Sequence, residues 1–352
     1  MTVMGDLLVA RITRTGPISL ADYMADCLMH PDHGYYATRD PFGAGGDFTT
    51  APEISQMFGE LVGLSLAQAW LDQGAPVPCI LAELGPGRGT LMADILHATR
   101  KVPGFHDAVS VHFVETSPVL RARQAEAVPT AMWHSDIDTL PDGPLLLVAN
   151  EFFDALPIRQ FVRNGIGWRE RMVGIADSCL TLGLSAPVPL GFLEHRLDDT
   201  KDGDLIEYCP ALPGLIAQID QRIGTRGGAA LIIDYGDWQS LGDTFQALAG
   251  HAVTDPLANP GDADLTAHVD FAAIARNISH AAHSRLSTQG VFLERLGITG
   301  RAQALAGNLT GPALEAHIKA HRRLTHPSEM GELFKVFGIM PGSANPPPGL
   351  EP

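Results

Sequence analysis

The sequence predicts an α/β protein built on a Rossmann-like, mostly parallel sheet, with a helical region ahead of the sheet and a β-rich insertion within it. Three observations carry this. The runs 80–82 and 145–149 are continuously apolar, as strands buried on both faces must be. The first run is followed by a stretch with Leu91, Ile95 and Val102 on one helical face, so strand, loop and helix form one unit. Between strand and helix lies Glu83-Leu-Gly-Pro-Gly-Arg-Gly-Thr90, whose alternate glycines let the backbone turn tightly and approach a ligand with no Cβ in the way. An open α/β sheet binds a nucleotide-like ligand at such a turn.

Residues 1–75 read as a helical N-terminal subdomain, with Leu7, Leu8 and Ile12, then Leu20, Tyr23, Met24, Cys27 and Leu28 at helical spacing and Ser19 as an N-cap. Two polar loops follow, 30–36 and 45–55. They read as a lid over the ligand, offering Asp47 and Thr50 to a cofactor and Glu53 to a substrate, or as plain helix caps. A further helix over 55–70, with Met57, Leu61, Leu64, Leu66 and Ala67, is expected to pack on the sheet.

Three chemistries compete for the glycine loop. A phosphate loop needs a lysine before its Ser or Thr, and Gly89-Thr90 has none. A dinucleotide fingerprint spaces its glycines G-x-G-x-x-G, and Gly89 comes one residue too early. Glu83, Gly85, Gly87 and Gly89 instead match the E-x-G-x-G-x-G loop of S-adenosylmethionine (SAM) methyltransferases at every position. SAM carries a sulfonium and an ammonium and no phosphate, so an acid and no lysine suit it.

The second strand, 110–115, ends in Glu115, placed to accept from two ribose hydroxyls or to cap the next helix, with Ser117 beside it. The third, 131–136, ends in Asp136, which could meet an adenine amino group. The fourth empties into Asn150-Glu-Phe-Phe-Asp-Ala-Leu-Pro157, gathering Asn150, Glu151, Phe152 and Asp154 where a reacting substrate would sit. Buried acids are costly there without a task. Residues 158–209 alternate turns with short apolar runs, a β-rich insertion in the 76–340 core. A helix over 212–223, strands over 227–236, 244–249 and 334–340, and a 264–271 segment containing His268 complete the core. Residues 341–352, rich in Pro and Gly, read as a disordered tail.

The net charge of −16 disfavours nucleic acid and anionic membranes and suits a basic protein or peptide partner. Four cysteines with no C-x-x-C argue against a disulfide framework or zinc site. No apolar run approaches a membrane span, and the N-terminus lacks a signal pattern, so a cytoplasmic protein is expected. The pairs His317/His321 and His280/His283 lack an H-E-x-x-H glutamate and an identifiable third ligand, so no metal is expected.

With these residues assembled, the chain resembles the MidA or DUF185 family, which includes the mitochondrial complex I assembly factor 7. The resemblance runs over about residues 17–336. It rests on Gly45-Gly-Asp-Phe-Thr-Thr-Ala-Pro-Glu-Ile-Ser55, the glycine loop, Asn150 to Pro157, Asp264 to Phe271, and Met330-Gly-Glu-Leu-Phe-Lys-Val336. It implies a class I methyltransferase fold, SAM as cofactor, and, from the mitochondrial members, arginine methylation of a respiratory complex I subunit. The absence of an Arg/Ser-rich transit segment points to a bacterial cytoplasmic member.

Two classes of function follow. In the enzyme reading, SAM lies over the glycine loop with Glu115 on its ribose, and Glu151 and Asp154 orient a guanidinium and help remove its proton, with Glu53 as a third acid. In the other, an assembly chaperone keeps SAM as a structural ligand and produces no S-adenosylhomocysteine. A methyltransferase acting on a small molecule is a further alternative, and a dehydrogenase a distant one. The acceptor and the oligomeric state stay open at this level.

Overall fold

A computed structural model describes residues 2–38, 50–250 and 252–352. Its centre is a nine-stranded sheet; besides the two-residue strands Val269–Asp270 and Ser287–Thr288 at its margins, its strands in chain order are β1 (Cys79–Leu84), β2 (Val109–Val114), β3 (Met132–His134), β4 (Leu145–Asn150), β5 (Gly228–Asp237), β6 (Ala281–His283) and β7 (Phe334–Pro341). Across the sheet they run β3-β2-β1-β4-β5-β7-β6. The first five are mutually parallel, and β7 enters antiparallel between β5 and β6. The order reverses between β1 and β4, so their carboxyl ends open a crevice, the expected place for a ligand.

Strand alternation sends side chains to two cores. Leu81, Leu146, Val148, Leu231 and Ile233 meet the helices Gln56–Asp72 and Thr90–Thr99 on one face. Ile80, Ala82, Leu147, Ala149 and Ile232 meet the helix Leu212–Arg226 on the other. Burial of β1, β4 and nearly all of β5 explains why these strands read as unbroken apolar runs.

The helices Val3–Thr15 and Leu20–Met29 form no independent subdomain. Met4, Leu8, Ile12, Tyr23 and Met24 share a core with Ile158 and Val173 of the insertion and with Leu265. A short strand, Ile18–Ser19, pairs antiparallel with the insertion at Val173 and Met172. Ser19 caps the second helix as expected, its Oγ accepting from Asp22 N at 3.0 Å. The insertion is β-rich: Arg159–Asn164, Gly167–Ala176, Cys179–Leu184 and Leu205–Tyr208 complete a five-stranded sheet.

The structure corrects the reading of the C-terminus. Residues 341–352 are packed rather than disordered: Leu350 sits against the core, Ser65 Oγ donates to Pro348 O at 2.7 Å, and Arg285 N donates to Glu351 O at 2.9 Å. Composition could not show this, because the space is made by Gly338, where an added Cβ would come within 2.6 Å of Leu350 Cδ1. The histidine pairs have local partners. His280 Nδ1 lies 2.9 Å from the Asp220 carboxylate and His317 Nε2 lies 2.9 Å from Ala302 O. Among the described residues, no helix is long and apolar enough to cross a membrane.

Candidate active site

At the carboxyl edge of the sheet lies a cavity of about 880 Å³, into which β1, β2, β4 and β5 all deliver residues. One half is built by the glycine loop. Gly85, Gly87 and Gly89 take φ of 59°, 52° and 84°, a region where a side chain is strained. A Cβ on Gly85 would also stand 2.8 Å from Phe152 Cδ2. The glycines thus allow Phe152 and the loop to close on each other at the cavity wall.

Glu83, at the end of β1, is 3% exposed, and its Oε2 has no hydrogen-bond partner among the described residues. Burial pushes its carboxyl up to about 8. An acid in this condition is suited to a cationic ligand group, which would restore its charge. Glu115, after β2, is held by its neighbours: Oε1 accepts from Ser117 N at 2.7 Å and Oε2 from Gln124 Nε2 at 3.2 Å. The same Gln124 amide donates to Gly87 O at 2.8 Å, and its Oε1 accepts from Trp133 Nε1 at 2.8 Å. A fully buried glutamine therefore ties the acid of β2 to the glycine loop. Each Glu115 oxygen keeps a lone pair for a ligand hydroxyl.

The other half lies beyond β4 and β5. Asn150 Nδ2 donates to Glu151 Oε1 at 3.0 Å, and the same oxygen accepts from Ala51 N at 3.1 Å. Glu151 itself takes φ of 51°, a strained value for a side chain larger than Asn. Burial first, then the charge of Asp154, pushes its carboxyl up to about 7. Asp154 is 6% exposed, and burial raises it too. Asn150 Oδ1 and Asp154 Oδ1 have no donor among the described residues. Around them stand Tyr235, its ring edge-on to His268 with centroids 5.4 Å apart, and Tyr36, whose hydroxyl donates to Asp264 Oδ1 at 2.7 Å.

The cavity brings together most of the residues expected from the sequence: Glu83, Gly85, Gly87, Glu115 and Ser117 on the cofactor side, Asn150, Glu151, Phe152 and Asp154 on the other. Gly89 is the N-cap of the helix Thr90–Thr99, and Ser117 also caps its own helix. Thr50, Glu53 and His268 line the wall, Glu53 Oε1 accepting from Thr90 Oγ1 at 2.6 Å. Thr50 occupies an N-cap position without making a side-chain cap, and Asp47 lies outside the described residues. Asp136 is a correction. It is exposed and off the cavity, its Oδ1 accepting from Asp138 N at 3.2 Å to cap a short 3-10 turn, while Ser135 takes the wall position. Sequence reading passed over Gln124, Tyr36, Asp234 and Tyr235. The last two stand near the end of β5, where the rule that found Glu83 and Glu115 applied equally.

The glycine cradle, the buried acid of β1 with one oxygen left without a partner among the described residues, and the acid of β2 together fit SAM, which brings an ammonium, a sulfonium and ribose hydroxyls and no phosphate. Comparison with known proteins agrees. Residues 61–290 match the family model described as "Putative S-adenosyl-L-methionine-dependent methyltransferase". The mitochondrial protein arginine methyltransferase NDUFAF7 of Xenopus laevis is 36% identical over 368 residues, spanning 96% of this chain and 84% of that protein. Its Homo sapiens counterpart is 36% identical, spanning 95% and 82%. A COG1565 superfamily crystal structure from Burkholderia thailandensis, bound to S-adenosyl-homocysteine, superposes with a TM-score of 0.80 at 29% identity, spanning 96% of this chain and 92% of that one. The protein is an enzyme and its cofactor is SAM. The chain belongs to this family of S-adenosyl-L-methionine-dependent methyltransferases.

Proposed function

We propose that the methyl acceptor is an arginine side chain of a protein, held by Asn150, Glu151 and Asp154. The observation that carries this reading is the pair of buried acceptors without donors, Asn150 Oδ1 and Asp154 Oδ1, beside a carboxyl raised to about 7. A guanidinium has five donors and no acceptor, so it is the complement of that wall. The names of the mitochondrial relatives support the same acceptor.

Bound SAM supplies an activated methyl group on sulfur. The chain's own contribution is positioning and a proton acceptor. Charge-assisted hydrogen bonds from the guanidinium to Glu151 and Asp154 would fix one nitrogen in line. Free arginine stays charged, so a proton must leave as the methyl arrives. A carboxylate with a pKa near the working pH is suited to take it. Phe152 lines the same wall, and Tyr235 sets its hydroxyl against the Asp154 carboxylate. In keeping with the family resemblance, the acceptor protein is taken to be a respiratory complex I subunit, met in the bacterial cytoplasm.

The test is to incubate the protein with methyl-labelled SAM and a cell protein extract, hydrolyse the product and separate its amino acids. Label in methylarginine is the expected result. Label confined to methyllysine or to the small-molecule fraction would overturn the reading.

A further inference from the structure

We infer that the helix Gly311–Thr325 is a docking surface for an acidic stretch of the acceptor protein next to its target arginine. This rests on the protein-arginine reading above and adds a sequence preference to it.

The charge distribution is the starting point. In a chain of net charge −16, residues 296–328 carry Arg301, Lys319, Arg322 and Arg323 against Glu315 alone. Arg301 is committed inward, paired with Glu60 through two bonds of 2.7 and 2.8 Å. Arg322 is bridged to Glu329 at 2.9 Å. Lys319 and Arg323 are exposed and pair with no carboxylate among the described residues. Four residues apart, the two lie side by side on one face of the helix, and the neighbouring Ile318 is 57% exposed. Leu324 is buried and Leu314, His317, Ala320 and His321 are half-buried against neighbouring helices, which leaves the opposite face to solvent.

The helix also stands in the right place. It packs on Ala51–Ile54, the segment that delivers Ala51 N to Glu151 and Glu53 to the cavity wall. From its carboxyl end the chain passes through 327–331 to Leu333 and Phe334, both on the cavity wall, with Leu333 46% exposed. Arg323 is close enough for its charge to act on Glu151. Cations in the last turn complement the helix dipole, which accounts for Arg322 and Arg323 but not for Lys319, a turn earlier. The adjacent cations Lys319 and Arg323, on a helix packed against a segment of the cavity wall, suit a substrate segment with acids flanking one arginine: the arginine enters the cavity and its acidic neighbours lie along the helix. Such rim charges act mainly on encounter and selection.

The experiment uses two synthetic peptides of equal length, each with one arginine, one flanked by Glu and Asp and the other by Ser and Ala. Binding is read by fluorescence anisotropy with the full chain, and methyl transfer is followed in the same samples. The wild-type protein is expected to bind the acidic peptide about fivefold more tightly, a preference lost in Lys319→Glu/Arg323→Glu and at high salt. Unchanged SAM affinity shows that the variant is folded. Equal binding of both peptides by the wild-type protein, or a preference that survives in the variant, would overturn the proposal. An acidic peptide bound through the helix yet never methylated on arginine would leave the docking surface standing and sink the arginine reading instead.

Discussion

The carboxylate of Asp234, near the end of β5, accepts the backbone N–H of Asp154 at 3.2 Å, with Phe153 N on the same oxygen at 2.9 Å and Tyr235 N on the other. The side chain is fully buried. It therefore fixes the turn after β4 from the neighbouring strand, and Asp154 faces the cavity because of it. Asp234→Asn keeps the shape but turns one acceptor into a donor facing an N–H. The expected cost is about 1–3 kcal/mol of stability, together with a fall in turnover that exceeds any loss of SAM affinity. Chemical denaturation and calorimetry measure the two. A variant that turns over normally would show that the turn holds itself.

Glu115→Ala is expected to weaken SAM by about 1.5–3 kcal/mol. The partners left behind, Ser117 N and the Gln124 amide, add a loss of stability, since both are buried around the missing acid. Calorimetric titration alongside thermal melting separates the contributions. Affinity at the parental level would remove Glu115 from the cofactor site.

Stability of the ligand-free protein is expected to fall as pH rises from about 5 to 8. The folded-state carboxyls of Glu83 and Glu151 are raised from 4.5 to about 8 and about 7, and Asp154 is raised as well. In that window the native state holds protons that the unfolded chain has released, so the slope of unfolding free energy with pH is negative. A cationic ligand at Glu83 favours its charged form, so SAM binding should release a proton and strengthen towards pH 8. Melting curves and titrations across that range check both. A Glu83→Gln variant with the same pH slope would contradict the assignment.

Deleting residues 342–352 is expected to cost about 1–2 kcal/mol, the order for uncovering one partly buried leucine and its surroundings. Denaturation of the truncated chain decides it.

The contrast between that tail and the glycine loop shows what the sequence could reveal. Local rules found the loop, the acids at strand ends and the apolar strands, because each signal lies within one short segment. Partners distant in sequence stayed hidden. Gln124 reads as an ordinary helix residue until folding puts it against Gly87 O, and Leu350 reads as part of a Pro/Gly tail until Gly338 makes room for it. Asp136 shows the reverse error. It sits at a strand end like Glu115, yet its carboxylate serves the turn immediately after it.

The most direct test of the central claim is methyl transfer to arginine by the Glu151→Gln/Asp154→Asn protein, measured beside its SAM affinity. Both acids lie outside the glycine loop, so affinity should stay near the parental value. Loss of positioning and of the proton acceptor should lower the rate on the order of a hundredfold or more. Methylarginine formed at the parental rate by the doubly substituted protein would place the chemistry elsewhere in the cavity and contradict the account.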